Sequence, residues 1–270
     1  MSALQEAIEE LVPVDPRVES MNILLLDIET YPAKTYQWSL WDKFTPIERI
    51  IESGGVLCFA AKWYGDPEVI FSSLWDDGVE GMGQTAYDLL NAADAVVTYN
   101  GDRFDLPWLR HLMHMENGLP PVFPFVSIDL FGTMRQFRFL SKKLDYVVQS
   151  LDIGQKVDTY GFQMWLDAMP EEIGGNGLAE AQQAMKDYNI GDVSGTLEPL
   201  YDEVLPHIKG HPHVALYAPG DRCHNCGQMA LEDAGLARTP LGVYPRARCT
   251  NCGKPHRGKS RISGVDYRGV

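Results

Sequence analysis

The chain has 270 residues, of which 45% are hydrophobic and 22% are charged. This composition is typical of a globular protein with one sizeable core and excludes an intrinsically disordered chain. The net charge of −14 and the isoelectric point of about 4.8 argue against a protein that holds nucleic acid through its overall charge.

The N-terminal sequence MSALQEAIEELVPVDP carries acidic residues where a signal peptide would carry basic ones. The chain also lacks the run of about eighteen apolar residues that a membrane-spanning helix needs. We therefore expect a cytoplasmic protein in which residues 1–20 form a peripheral N-terminal extension.

The first strand is predicted at MNILLLD (21–27), because a short continuous apolar run indicates a central strand covered on both faces. GVLCFAAKWYG and PEVIFSSLW are rich in β-branched and aromatic residues and are separated by Gly65, Asp66 and Pro67, which predicts a hairpin. We expect most of the six tryptophans to lie in the core.

The central part of the chain alternates between helical and strand patterns. Apolar residues recur with helical spacing before residue 94, AVVTYN (95–100) has strand character, a helix should follow Asp105, and PFVSIDLF predicts another strand. Two further helices are predicted at 144–151 and from Leu178, the latter interrupted near Gly191 and Pro199. The order predicts one α/β domain over 21–210, with a mixed sheet flanked by helices.

Four acids and a tyrosine are distributed over these elements. Asp27 and Glu29 end the first strand as Asp-x-Glu, and side chains two residues apart lie on the same face of a sheet. Asp105 follows a later strand, and Tyr188 and Asp192 lie four residues apart on one helix face. Carboxylates are the ligands that Mg²⁺ and Mn²⁺ prefer, so the set predicts a site for two such ions that hydrolyses phosphodiesters.

This arrangement resembles the DEDD superfamily of 3′-to-5′ exonucleases, in the branch that has tyrosine in its third motif (DEDDy). That branch includes ribonuclease D and the exonuclease domains of family B DNA polymerases. The resemblance covers roughly residues 21–206 and implies a ribonuclease H-like fold. The stretch LLLDIETYPAKTYQWSLW is similar to predicted ribonuclease H-like exonucleases of bacteria and their phages.

The resemblance also implies roles for individual residues. Asp27 would bridge both ions, Glu29 and Asp192 would complete the ion that activates water, and Asp105 would serve the second ion through water. Tyr188 would orient the attacking water. Four residues are implied to bind the substrate's 3′ end: Thr30, Asn100, Phe104 and Lys143.

Four of the five cysteines form two Cys-x-x-Cys pairs: Cys223, Cys226, Cys249 and Cys252. Two such pairs predict a structural zinc ribbon with one Zn²⁺ over residues 211–270, with redox or iron–sulfur chemistry as alternatives. His224 and His256 exceed the four-ligand count, so we expect them to be exposed or to face nucleic acid. The fifth, Cys58, is interpreted as a small buried hydrophobe.

Charge is unevenly distributed along the chain. From Arg238 onward there are eight Lys or Arg residues against one acid, Asp266, a net charge of +7 that leaves −21 for the rest. The excess predicts that the ribbon binds nucleic acid, with protein docking, or a merely solvated tail, as alternatives.

The sequence thus predicts a two-metal 3′-to-5′ exonuclease that releases nucleoside 5′-monophosphates, with single-stranded DNA as the expected substrate. Proofreading in replication, processing of repair intermediates and degradation of foreign nucleic acid are all open as its role. A polymerase or another replication protein acting in trans is a candidate partner. Two alternatives stay open at this point. One is an exoribonuclease or structure-directed endonuclease that uses the same site, and the other is a non-catalytic nucleic-acid or replisome-binding module.

Overall fold

The structure, a computed structural model, describes residues 21–39, 41, 44–154, 159–212 and 220–265. The chain divides into two compact units, one formed by Asn22–Val204 and a second that contains the chain from Leu205 onward. The predicted extension of residues 1–20 lies outside the described residues.

The first unit is built on a mixed sheet of five strands in the order β5-β4-β1-β6-β7. The strands of this unit are β1 (Ile23–Tyr31), β2 (Lys34–Thr35), β3 (Ile50–Glu52), β4 (Gly55–Trp63), β5 (Val69–Ser73), β6 (Ala95–Thr98) and β7 (Val126–Asp129). β2 and β3 pair with each other in a separate two-stranded sheet. β4 is antiparallel to both β1 and β5, whereas β6 is parallel to both β1 and β7. The predicted central first strand and the hairpin after it are therefore confirmed.

The helices of this unit are α1 (Gly78–Ala92), α2 (Asp105–Arg110), α3 (Leu130–Met134), α4 (Leu144–Leu151), α5 (Phe162–Ala168), α6 (Ala179–Gly191) and α7 (Glu198–Val204). α6 gives way at Gly191 to a π-helical segment, Asp192–Leu197, and α7 begins immediately before Pro199. The predicted interruption of this helix is thus confirmed, as is the α/β class with helices flanking a mixed sheet. No helix in the described ranges combines the length and apolar character needed to cross a bilayer.

β1 separates two hydrophobic layers because its side chains alternate between the faces of the sheet. Leu24, Leu26 and Ile28 point into a core that includes α1 and α2. The alternate residues of β1, which include Asp27 and Glu29 near its end, point to the opposite face of the sheet. On that face a second hydrophobic cluster packs β4 against α5 and α6. Two carboxylates are thus placed on the α6 side of the central strand.

Trp38 and Trp41, each 88% exposed, are the exceptions to the prediction that most tryptophans lie in the core. Both lie in the connection between β2 and β3, which pair with each other and not with the five-stranded sheet. The other four tryptophans do pack against the core clusters: Trp63, Trp75, Trp108 and Trp165.

The second unit contains a small antiparallel sheet of four strands: β8 (Leu231–Arg238), β9 (Gly242–Cys249), β10 (Pro255–Arg257) and β11 (Ser263–Gly264). β9 pairs with all three other strands. Cys249 ends β9, and Cys252 follows in the turn to β10. The sheet therefore carries one of the two cysteine pairs.

Candidate active site

Three of the four predicted carboxylates converge in the first unit. Asp27, Glu29 and Asp192 each offer an oxygen that lies within 4.8 Å of the others. β1 supplies the first two from one face, and Asp192 is the first residue of the π-helical segment that follows α6. Hard divalent cations such as Mg²⁺ and Mn²⁺ take oxygen ligands of this kind, so the donor set fits them.

A β-bulge shapes the end of β1. The pairing of β1 with β4 shifts register between Glu29 and Thr30, so that Glu29 faces Cys58 whereas Thr30 faces Val56. Bulges of this kind re-aim side chains and are over-represented beside active sites. Thr30, predicted to flank the substrate, is half-buried directly after the carboxylate pair.

Tyr188 lies beside the three carboxylates, one helical turn before Asp192. Its hydroxyl donates a hydrogen bond to the carboxylate of Asp192, and its ring packs edge-on against Trp165 at 5.9 Å between ring centroids. Burial raises the pKa of Tyr188 far above its usual value, and the negative charges of Asp192, Glu29 and Asp27 raise it further. The phenol therefore stays protonated at neutral pH and acts as a donor, not as a base.

Asp105 is placed next to the cluster but outside it. It is buried at the start of α2, and its Oδ1 accepts a hydrogen bond of 3.2 Å from the backbone N–H of Ile28, the residue between Asp27 and Glu29. Burial, with a smaller contribution from Asp129, raises the pKa of Asp105 to about 7, although hydrogen bonds from backbone amides act in the opposite direction. A nearby cation would favour the ionised carboxylate.

Asn189 was not among the residues identified from sequence. It is fully buried, and its Nδ2 donates to Oδ2 of Asp27 at 2.8 Å and to the backbone oxygen of Asp27 at 3.3 Å. An asparagine directly after Tyr188 gives only a weak sequence signal, since asparagine is common on exposed helix surfaces. Its burial against a carboxylate is evident only in three dimensions.

Two of the predicted substrate-binding residues follow β6, which ends at the same edge of the sheet as β1. β1 and β6 are parallel, so Asn100 and Phe104, which follow β6, lie at the edge where β1 presents its acids. Asn100 has a left-handed backbone with φ of 67°, and its N–H donates to Asp129 at 2.8 Å. This turn leaves the ring of Phe104 41% exposed.

Lys143 follows Lys142, whose backbone is hydrogen-bonded to the end of β6 at this edge of the sheet. The hydroxyl of Tyr99, at the end of β6, donates to the backbone oxygen of Lys142 at 2.5 Å. Lys143 precedes α4 and is exposed. Its position leaves the ammonium group accessible to an anionic ligand.

The four predicted zinc ligands come together in the second unit. The sulfur atoms of Cys223, Cys226, Cys249 and Cys252 lie within 4.8 Å of one another. The closest sulfur pairs are 3.6 Å apart, far longer than the ~2.05 Å of a disulfide. Four converging thiols are the donor set of a structural zinc site, so the cluster fits Zn²⁺.

Each cysteine pair closes a tight turn. The N–H of Gly227 donates to the carbonyl of Cys223 at 3.0 Å, and the N–H of Gly253 donates to that of Cys249 at 2.9 Å. Both glycines have positive φ, 72° and 74°, which side chains disfavour. The glycine after each pair is therefore what allows the turn to bring two sulfurs together.

His224 and His256 are not exposed, whereas the expectation that they face nucleic acid stays a prediction. Both are half-buried, and Nε2 of His256 lies 3.3 Å from the sulfur of Cys223. Nδ1 of His256 in turn lies 3.1 Å from Nδ1 of His224. The antiparallel pairing of β10 with β9 places His256 over the cysteine cluster, so the imidazoles pack against the cluster instead of facing outward.

Comparisons with known proteins address the fold. None of the curated proteins matches the sequence. Among solved structures, the family B DNA polymerase from the hyperthermophilic archaeon Pyrobaculum calidifontis is similar with a TM-score of 0.49 and 18% identity. The similar part covers 69% of this chain but only 25% of the polymerase chain.

The family model of the RNase_H superfamily matches residues 53–203. This range includes Asp105, Tyr188, Asn189 and Asp192 and begins after β1. Since the match covers more than half of the 270 residues, the chain belongs to the RNase_H superfamily.

Proposed function

We propose that this protein is a 3′-to-5′ exonuclease that depends on divalent cations and releases nucleoside 5′-monophosphates from single-stranded ends, DNA in preference to RNA. The observation that carries the proposal is the convergence of Asp27, Glu29 and Asp192 within 4.8 Å, beside Tyr188. Membership of the RNase_H superfamily supports nuclease activity in general. In this proposal residues 21–210 are the nuclease domain and 211–270 a zinc-ribbon domain.

Each of the four carboxylates would have its own role in binding two Mg²⁺ or Mn²⁺ ions. Asp27 would be the ligand common to both ions, and Glu29 and Asp192 would complete one coordination sphere. Asp105, which accepts the N–H of Ile28, would serve the second ion through water. When bound, such a pair of ions supplies an activated water and a counter-charge for the leaving oxygen.

Tyr188 positions the attacking water. Its hydroxyl is protonated and close to Asp192, so it can donate a hydrogen bond to a water next to that carboxylate. A fixed donor of this kind orients the oxygen lone pair toward the phosphorus and lowers the entropic part of the barrier.

The exposed groups at the same edge of the sheet hold the 3′-terminal nucleotide. Phe104 offers an accessible ring on which the last base can stack, and Asn100 and Thr30 contribute polar contacts to the sugar and its 3′ oxygen. The ammonium group of Lys143 pairs with a phosphate. Stacking on a phenyl ring does not depend on base identity, which suits an enzyme that digests successive nucleotides.

The ribbon carries a surface suited to the phosphate backbone. Arg246 on β9 and Arg257 on β10 are directly opposite each other, so their side chains share one face of the sheet. Neither forms an ion pair with an acid among the described residues. The guanidinium of Arg257 lies 4.9 Å from the ring centre of Tyr244, on the same face. Like charges directly opposite are unfavourable, and a bound phosphate between them relieves the repulsion.

Replacing both arginines tests this surface. Arg246→Ala with Arg257→Ala should weaken binding of a single-stranded oligonucleotide and lower the slope of log K against log salt by about 1.4, the value for two phosphate contacts. Arg238→Ala removes one positive charge from the opposite face, where Arg238 faces Val243, and is the control for loss of charge outside this surface: it should leave the slope unchanged. If the double variant keeps the wild-type slope, the ribbon docks to protein, for example a polymerase in trans.

Digestion of end-labelled oligonucleotides tests the proposed activity. With Mg²⁺ or Mn²⁺, a 3′-labelled single strand should release labelled mononucleotide at once, whereas a 5′-labelled strand should shorten stepwise. Asp27→Ala should abolish release while preserving the circular dichroism spectrum. Faster digestion of RNA would identify an exoribonuclease, and internal cuts would identify an endonuclease. Cation-dependent release that survives in Asp27→Ala would refute the assignment, and no digestion at all would leave a binding module.

A further inference from the structure

A buried chain of three polar groups runs from β4 to the candidate cation site. At one end, the amide nitrogen of Asn189 holds Asp27 by both its carboxylate and its backbone oxygen, at 2.8 and 3.3 Å. At the other end, the thiol of Cys58 donates to Oδ1 of Asn189, with 3.9 Å between sulfur and oxygen. Cys58 and Asn189 are both 0% exposed.

The thiol and the carboxylate require the same orientation of the amide. The two ends of an asparagine amide are similar in shape, but one only donates and the other only accepts. A carboxylate needs the NH₂ end, and a thiol with its proton needs the oxygen end. A thiol in an apolar layer carries its proton at neutral pH, so Cys58 is the donor of this contact. The two contacts therefore hold Asn189 in one orientation.

A neutral donor is suited to holding a cation ligand. Asn189 donates to Oδ2 of Asp27 and adds no positive charge that would repel a cation from this carboxylate. A lysine or arginine at this position would neutralise the carboxylate. Without Asn189, the side chain of Asp27 would gain rotational freedom that each binding event must remove.

We infer that Asn189 is a positioning residue that fixes Asp27 as a cation ligand, and that Cys58 fixes the orientation of Asn189. The inference rests on the proposed function, because it assigns a cation site to Asp27. It also changes the interpretation of Cys58, which is buried in the core but contributes a directional hydrogen bond as well as volume. The pairing of Cys58 with Glu29 across β4 and β1 gives the thiol its place beside the site.

Titration with Mn²⁺ tests the inference without requiring turnover. The full chain, with its zinc retained, is titrated by calorimetry or electron paramagnetic resonance, and the binding that Asp27→Ala removes defines the site. Asn189→Leu keeps the approximate volume but removes the donor, and it should weaken this binding about 10- to 100-fold, as expected for a group that orients a ligand. In digestion it should lower kcat more than it raises KM.

The matched pair Cys58→Ser and Cys58→Ala separates positioning from packing. Both side chains are smaller than cysteine, but serine keeps a donor whereas alanine does not. We expect Cys58→Ala to weaken Mn²⁺ binding about two- to fivefold and Cys58→Ser to retain more of it. Melting temperatures should not follow this order, since a hydroxyl in an apolar layer costs stability.

Three results would overturn the inference: Asn189→Leu with wild-type Mn²⁺ affinity, Cys58→Ser no better than Cys58→Ala, or no Mn²⁺ binding that depends on Asp27. If only the proposed nuclease function is wrong, the experiments give a different set of results. In that case Mn²⁺ binds and the variants keep the predicted order, but the wild-type protein digests no oligonucleotide.

Discussion

Replacing Asp105 by asparagine should stabilise the cation-free protein at neutral pH and yet lower its nuclease activity. Burial raises the pKa of Asp105 from 3.8 to about 7. The folded protein therefore holds this proton more tightly than the unfolded chain does. As the pH rises from about 4 to about 7, the unfolded chain ionises first, so the free energy of unfolding falls across this window.

The size of the effect follows from the shift in pKa. One unit corresponds to about 1.4 kcal/mol, so a shift of about three units costs at most about 4 kcal/mol above pH 7. Asp105→Asn has no charge to bury, and its amide oxygen can still accept the N–H of Ile28. Its NH₂ group lacks an assured acceptor, which reduces the gain to about 2 to 4 kcal/mol at pH 8. At pH 4 the gain is absent, and the variant should be at most about 2 kcal/mol less stable than wild type, the cost of the NH₂ group without an acceptor.

Urea unfolding, followed by tryptophan fluorescence at several pH values, measures this difference. The buffer contains no Mg²⁺ or Mn²⁺, and zinc is retained. Asp102→Asn is the matched control, since Asp102 is exposed and lies three residues away in the same turn. A difference between Asp105→Asn and wild type that stays constant from pH 4.5 to pH 8 would refute the reasoning. Digestion of a 3′-labelled strand by Asp105→Asn should be slower by at least about 100-fold, because a group that holds an ion is lost.

Three further predictions concern other parts of the chain. Tyr188→Phe should lower kcat by about 10- to 1,000-fold because it removes one positioning hydrogen bond but keeps the ring packing, and an unchanged rate would mean that Tyr188 only packs. Lys62→Met should lower the free energy of unfolding in urea by about 3 to 5 kcal/mol, because it leaves the largely buried carboxylate of Glu198 without its ion-pair partner. The double variant Lys62→Met with Glu198→Leu should recover most of this loss. If the single and the double variant lose the same free energy, the ion pair is excluded as the cause. Cys226→Ser should lose the one zinc ion that the wild-type chain binds, as counted by native mass spectrometry, while cleavage of short oligonucleotides continues. If the variant retains zinc at full occupancy, the four-cysteine site is contradicted.

Local sequence patterns predicted most of the first unit. The apolar run before Asp27 is confirmed as the central strand β1, since only a strand covered on both faces tolerates such a run. Helical spacing predicted α1 and α6, and Gly191 with Pro199 predicted that the last helix bends or restarts, which it does in the π-helical segment before α7. These signals depend on the strand period of two residues and the helix period of 3.6 residues, and on glycine and proline, which both disfavour a helix interior. All of these are local properties of the chain.

Other features could not be predicted because they depend on contacts between distant residues. Asn189 and Cys58 are 131 positions apart, and nothing in either local sequence indicates that they meet. Trp38 and Trp41 are exposed because their connection pairs only with itself, although indoles usually lie in cores. His256 lies over the cysteine cluster because of the register between β9 and β10.

The sequence by itself determined which side chains are candidates for the site and which face of each element they occupy. Asp-x-Glu at the end of a strand and Tyr-x-x-x-Asp on a helix fix relative directions, because periods of 2.0 and 3.6 residues are properties of the backbone. Only the tertiary structure decided the distances. It brought Asp27, Glu29 and Asp192 within 4.8 Å, placed Asp105 behind Ile28, and set a buried amide against Asp27, because the packing of α6 on the sheet is a property of the whole core.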